Sequence, residues 1–274
     1  MSAAAAIEAG AAARELVSLL DQNGRQITPF TSRDSAFGLA DAYRITPLVR
    51  GLREARGERV LGRKIGFTNR TIWEQYGVYA PIWGYMYDST VHNLGDIAGP
   101  VSLAAFAEPR IEPEIVFGMS AAPEAGMDER DLLSCIGWVA HGYEIVQSVF
   151  PQWKFAPPDT VAAFGLHGAL FVGERHQIAD DADKWFAPLS NFTITLRCGD
   201  IVEPGHARDV LDGPLSALKH LVDLLAREKH NPQVAAGEII TTGTLTKAMP
   251  VKPGERWATE LDGIPIGGID IRFG

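Results

Sequence analysis

The sequence is short of several things that would settle its class at once. No apolar run approaches the roughly eighteen residues needed to cross a bilayer. The N-terminus is alanine-rich but lacks the charged-then-apolar pattern of a signal peptide. The expectation is a cytoplasmic protein with no membrane partner. Basic residues are scattered, no Lys/Arg stripe is present and the formal net charge is −9, so nucleic acid is a poor partner. There are two cysteines, Cys135 and Cys198, far apart, in apolar surroundings and without a CxxC, which reads as two buried thiols. No fixed-period repeat and no low-complexity linker divides the chain.

What is present is ordinary for a globular protein: 274 residues, 46% hydrophobic and 22% charged. That length supports one large domain or two small ones. The first twenty residues read as a helix with Ile7, Leu16, Leu19 and Leu20 as its apolar positions. A second helical stretch covers about 35–56, with Leu39 and Tyr43 on one face and Ile45, Leu48, Val49 and Leu52 together. Pro47 predicts a kink or a fresh start, and the Gly57 region ends the stretch. From Val60 the pattern turns β-rich, with strands expected over 60–67, 111–118, 138–147, 168–173, 191–197, 238–242, 256–261 and 264–273. Cys198-Gly199-Asp200 and Asp262-Gly263 signal hairpin turns. Pro214 opens a helix with Leu218, Leu221, Val222 and Leu225 as its stripe, and another is expected near 128–136. The fold class is therefore α+β: a helical N-terminal region, 1–59, then a β-rich catalytic core, 60–274, forming one structural unit. Strands and helices do not alternate regularly, which predicts a curved mixed sheet or roll rather than a doubly wound one.

The most informative segment runs from Arg110 to Phe117. In a strand, Glu112 and Glu114 point to the same face. Two carboxylates side by side among Ile111, Ile115 and Phe117 repel and resist desolvation, and a hard divalent cation relieves both. Glu144 is the lone acid in the apolar stretch 142–146. Three carboxylates make an oxygen-rich site suited to magnesium or manganese; zinc would bring histidine or cysteine at suitable spacing, and none is found. Spacing alone leaves open a solvated sheet face for Glu112 and Glu114 and an arginine partner for Glu144. Lys64 lies between Gly62 and Gly66 in a strand-like stretch. Near a metal it would have a lowered pKa and could shuttle protons, or it could be an exposed strand-end lysine. Trp73, Tyr76, Tyr79, Trp83, Tyr85 and Tyr87 could wall a pocket for a flat substrate or could be core or subunit interface. Asp88 directly follows them as a candidate acid/base or water-orienting group. Thr242-Gly243-Thr244 after a strand offers N–H groups and hydroxyls to a substrate carboxylate, or is a plain turn.

Taken together, Gly62–Gly66, Ile111–Ile115, Tyr143–Val146 and Gly237–Thr244 with Pro250 and Pro253-Gly254 resemble the fumarylacetoacetate hydrolase superfamily. The branch they are most similar to is that of 2-keto-4-pentenoate hydratases and 4-oxalocrotonate decarboxylases. The segments occur in the family's order from about residue 35 onward. The resemblance implies Mg2+ (or Mn2+) held by Glu112, Glu114 and Glu144, a catalytic Lys64, and Asp88 in the pocket. Glu144 as third ligand favours hydratase or decarboxylase, since hydrolases of the superfamily carry aspartate there. One departure stands out. Ala163-Phe164-Gly165-Leu166-His167 replaces the family's Asp-Asn-Ala-Ser-like stretch, so His167 is either a new acid/base or a packed histidine. The implied activity is hydration of a small 2-oxoenoate or 2-hydroxydienoate in the catabolism of aromatic compounds. Alternatives are decarboxylation of a 4-oxalocrotonate-type diacid, carbon–carbon bond hydrolysis of an acylpyruvate, and a non-catalytic partner subunit. A homo-oligomer is expected, with a complex with a pathway enzyme as a further option.

Overall fold

The computed structural model describes residues 6–178 and 181–274, without the side chains at 72, 75 and 76. The N-terminal helix spans Ala9–Leu19, and Glu8 caps it by accepting from the Gly10 and Ala11 N–H groups. A second long helix, Leu39–Ala55, continues through Pro47 as one element, with no fresh start there. Its inner face is Ala42, Ile45, Thr46, Val49 and Arg53, while Leu39 and Leu48, expected among its apolar faces, are 45% and 42% exposed. These helices pack with Val149, Phe150 and the helix Pro157–Ala162 into one apolar cluster.

The strands are β1 (Val60–Gly66), β2 (Ile82–Tyr87), β3 (Val91–Asn93), β4 (Arg110–Met119), β5 (Ile136–Val146), β6 (His167–Gln177), β7 (Thr193–Cys198), β8 (Ile201–His206), β9 (Ile239–Thr241), β10 (Met249–Pro250), β11 (Arg256–Asp262) and β12 (Asp270–Arg272). They form two sheets. The larger is mixed, in the order β2-β1-β9-β4-β5-β6-β3, with β1/β9 and β3/β6 parallel and β10 also on β4. The smaller is antiparallel, β12-β11-β7-β8. The curved mixed sheet with flanking helices is the α+β architecture expected. Its details differ: the aromatic run yields β2, Gly199-Asp200 turns the chain into β8, and the expected strand 264–273 shrinks to β12, with Gly267 and Gly268 just before it. No helix among the described residues is long and apolar enough to cross a membrane.

What positions the site is β4. It is buried along nearly its whole length on both faces. Ile111 packs between the two sheets with Tyr143, Ile145, Leu196 and Trp257, while Ile115 and Phe117 join a core that includes the helix Pro214–Arg227. Arg110, Glu112 and Glu114 alternate with these residues and so face the other way. β9 and β10 flank the same edge of β4 one after the other, at 116–118 and 110–111. Between them the chain stays on that edge, the Thr242 N–H donating to the Ile115 carbonyl and the Leu245 N–H to the Pro113 carbonyl.

Candidate functional site

Strand register brings the acids together. Glu112 stands directly opposite Glu144 on β5, and Glu114 is two residues along β4 on the same face. Like charges directly opposite on neighbouring strands repel. Here one ligand oxygen from each of Glu112, Glu114 and Glu144 lies within 4.8 Å of the others. Glu114 and Glu144 are fully buried, and Glu112 opens on a cavity of about 510 Å³. Burial pushes the Glu112 carboxyl up to about 7, with Lys64 opposing and Glu144 adding to the push. Glu114 is pushed up by burial and then by Glu144 and Glu112. Burial acts on Glu144 too, but Lys64 and His167 outweigh it and hold this carboxyl below its ordinary value.

Lys64, on β1 between Gly84 of β2 and Thr241 of β9, lines the same cavity and places Nζ 3.4 Å from Glu144 Oε2. Burial would lower its pKa, but Glu144, Glu112 and Glu114 together raise it. Of the glycines beside it, Gly66 lines the cavity and Gly62 serves packing. A Cβ at Gly62 would lie 1.8 Å from the Ile239 carbonyl oxygen, so this glycine admits β9 rather than a substrate.

A divalent cation fits this acidic set. Glu114 Oε1 is buried with no hydrogen-bond partner among the described residues, and Glu144 Oε2 has none beyond its 3.4 Å ion pair with Lys64. Orphaned buried acceptors are costly, and three convergent oxygen donors are the chemistry a hard cation requires.

The other expected residues separate. His167, at the start of β6, is buried and absent from the cavity wall; Nδ1 lies 2.8 Å from Glu144 Oε1 and Nε2 2.9 Å from Thr90 Oγ1. It touches a carboxylate of the cluster rather than a substrate. Phe164, Gly165 and Leu166 before it are all left-handed, with φ of 62°, 62° and 64°. Side chains in that region cost roughly 1–2 kcal/mol per residue. A Cβ on Gly165 would come within 3.1 Å of Lys64 Cδ, so glycine lets this turn close over the lysine. Asp88 is not brought to the site: its carboxylate is held by the Arg59 N–H and guanidinium at 2.9 Å, and it does not line the cavity. Thr242 is turned into the sheet, its hydroxyl donating to the Ile115 carbonyl, whereas Gly243 and Thr244 do line the cavity. The Gly243 N–H donates at 2.7 Å to Glu114 Oε2, so the carboxylate it meets is the protein's own.

Of the aromatic run, Trp83, Tyr85 and Tyr87 are buried in β2, Tyr79 is 78% exposed, Trp73 donates from Nε1 to the Phe67 carbonyl, and the side chain of Tyr76 lies outside the described residues. The rings that do wall the cavity are Phe67, Trp153 and Phe155. Sequence reading missed them, and also Arg110, whose guanidinium lies 4.0 Å from the Trp153 ring centre at the cavity wall. For Arg110 a signal existed: it shares the alternation of Glu112 and Glu114. The cysteines are free thiols, Cys135 buried and Cys198 half-buried.

No protein-family model matches the chain. Among curated proteins, it is 30% identical over 253 residues to a 2-hydroxyhexa-2,4-dienoate hydratase of Comamonas testosteroni, covering 92% of each chain. It is 30% identical over 228 residues to a 4-oxalocrotonate decarboxylase of a Pseudomonas species, covering 83% of this chain and 84% of that one. Among solved structures, it superposes on the 4-oxalocrotonate decarboxylase of Pseudomonas putida G7, complexed with magnesium and adipate, with a TM-score of 0.86, 27% identity and 97% of both chains covered. A fumarylacetoacetate hydrolase family protein of yeast shares the fold, with a TM-score of 0.52 at 15% identity over 77% of this chain and 90% of that one.

Proposed function

Because the chain belongs to the 2-keto-4-pentenoate hydratase and 4-oxalocrotonate decarboxylase branch of the fumarylacetoacetate hydrolase superfamily, we propose that it is a metal-dependent lyase adding water to a 2-hydroxydienoate or 2-oxoenoate, such as 2-keto-4-pentenoate, in the breakdown of aromatic compounds. The observation that carries this reading is the convergence of three carboxylates, one with an orphaned buried oxygen, beside a lysine at the wall of a cavity sized for a small acid.

Glu112, Glu114 and Glu144 would hold Mg2+ or Mn2+, which when bound supplies Lewis-acid stabilisation of charge on an oxo or enol oxygen. Lys64 lines the cavity and is the group that would move protons to and from the substrate's carbon chain. Phe67, Ile82, Phe155 and Leu166 give a flat conjugated chain an apolar wall and exclude bulk water from it. Gly243, occupied with Glu114, acts by holding that carboxylate in place.

Decarboxylation of a 2-oxo diacid is the second reading. It is favoured by the decarboxylase relatives and by Arg110 and Lys247, two cations on the cavity wall that suit a second carboxylate. We further propose that the protein works in the cytoplasm as a homo-oligomer, the exposed Tyr79, Ile201 and Val202 supplying apolar surface for subunit contact.

The test is a panel of 2-oxo and 2-hydroxydienoic acids with magnesium and with manganese, following ultraviolet loss and gas release. A hydratase consumes 2-hydroxypenta-2,4-dienoate without releasing carbon dioxide. A decarboxylase releases it from 2-oxohex-3-enedioate. No turnover of either class with either metal sinks both readings.

A further inference from the structure

Each fully buried acid of the cluster is tied down through one oxygen and leaves the other without a hydrogen bond. On Glu114, Oε2 accepts the Gly243 N–H and Oε1 is orphaned; on Glu144, Oε1 meets His167 and Oε2 has only its ion pair with Lys64 Nζ at 3.4 Å. The tie on Glu114 is backbone and cannot be reversed. The tie on Glu144 is an imidazole, which serves only when its proton sits on the nitrogen facing the carboxylate.

Hydrogen-bond bookkeeping assigns that proton. An ionised carboxylate only accepts, so Nδ1 of His167 carries the hydrogen. Nε2 faces the other way, toward a hydroxyl that can donate to it. Thr90 Oγ1 is 2.9 Å from Nε2. The hydroxyl's other acceptor, the Tyr87 carbonyl at 3.1 Å, is already served by the Thr90 N–H at 2.9 Å, and the Tyr87 N–H donates to Oγ1 at 3.2 Å. Every group is satisfied when protons run one way: Tyr87 N–H to Thr90, Thr90 O–H to His167, His167 Nδ1–H to Glu144.

We propose that Thr90 and His167 are positioning residues for Glu144: the Thr90 hydroxyl fixes the Nδ1–H tautomer of His167, and His167 occupies Oε1 so that Glu144 meets a divalent cation through Oε2 alone. This rests on the metal reading above, and it extends it to two side chains that touch neither cation nor substrate. Partners of this kind orient a ligand before the ion arrives, and their loss typically costs 10- to 100-fold in metal affinity. Thr90 suits the test because it is half-buried and also lines a second cavity of about 430 Å³, so its hydroxyl can be removed without opening a sealed void.

The experiment is Mn2+ titration calorimetry on the full chain, with imidazole nitrogen NMR on the metal-free protein and His167→Gln used to assign the signal. Thr90→Val should weaken Mn2+ binding about tenfold, Thr90→Ser should restore it to within about twofold, and Thr90→Val should populate both tautomers where the unmodified protein shows only Nδ1–H. Undiminished Mn2+ affinity in Thr90→Val, or an Nε2–H tautomer in the unmodified protein, overturns the proposal and leaves the metal reading intact. Failure of the unmodified protein to bind Mn2+ overturns both. The NMR result needs only the folded unmodified chain, so poor folding of the valine variant does not shield the proposal.

Discussion

The two faces of β4 are built oppositely. Ile111, Ile115 and Phe117 turn one way into apolar packing, while Arg110, Glu112 and Glu114 turn the other way toward Glu144 and Lys64. The first arrangement stabilises the fold by removing apolar surface from water. The second works against it, because carboxylates crowded in a dry place cost free energy unless compensated. Lys64 compensates one charge, and the remainder is what a divalent cation would neutralise. One strand thus separates stability from chemistry by the parity of its residues.

That separation can be broken from either side. Glu114→Gln keeps an acceptor for the Gly243 N–H but removes a ligand charge. Turnover and metal dependence should fall by about a thousandfold or more, while the unfolding midpoint of the metal-free protein holds or rises because a repulsive charge is gone. Its neighbour on the other face should do the reverse. Ile115→Ala should cost roughly 2–5 kcal/mol of stability and leave Mn2+ affinity near that of the parent. Calorimetric titration and thermal unfolding of both variants settle the matter; a large stability loss in Glu114→Gln would erase the distinction. Lys64→Ala comes next in size. It should retain the metal and lose about a hundred- to a thousandfold in kcat, the scale of a missing proton-transfer group. Full activity in that variant would remove Lys64 from the chemistry.

How much of this was legible in the sequence depended on whether a signal was local. The alternation around Glu112 and Glu114 is a property of one strand, so their common face could be read directly. The pairing of Glu112 with Glu144 could not, because register between strands is set by packing across the sheet. Asp88 was misplaced for a related reason: adjacency to an aromatic run says nothing about where a strand ends, and β2 ends one residue before it, beside Arg59. The aromatic wall was misassigned because Trp83, Tyr85 and Tyr87 form a fully buried strand, whereas Trp153 is set by left-handed residues at Gln152 and Trp153 that no periodicity reveals. Thr242-Gly243-Thr244 was found, but its partner was not. Gly243 has a φ of +101°, and a Cβ there would sit 2.0 Å from Thr68 Oγ1, so the glycine answers to a contact distant in sequence.

The smallest effect sharpens the comparison from the apolar side, where an ionisable imidazole intrudes. His141 on β5 is buried opposite Ile115; its Nδ1–H donates to the Glu114 carbonyl at 2.9 Å and Nε2 meets Thr259 Oγ1 at 2.9 Å. Burial pushes its pKa down to about 4, against the pull of the Glu114 carbonyl. In the unfolded chain the imidazole returns to about 6.5, so between these values the unfolded state binds the extra proton. Stability from the neutral ring is therefore complete above about pH 6.5 and is lost as pH falls toward 4, by about 3 kcal/mol in all. Other acids titrate in the same window, so the measurement is a difference: unfolding midpoints from pH 7 to 4 for the parent and for His141→Gln. The variant should lose less stability than the parent across that range while its affinity for Mn2+ stays within about threefold, since the imidazole reaches Glu114 only through the backbone carbonyl. Parallel pH profiles would show that His141 carries its proton equally in both states. A collapse of metal affinity would mean that the two faces of the sheet are coupled through that carbonyl.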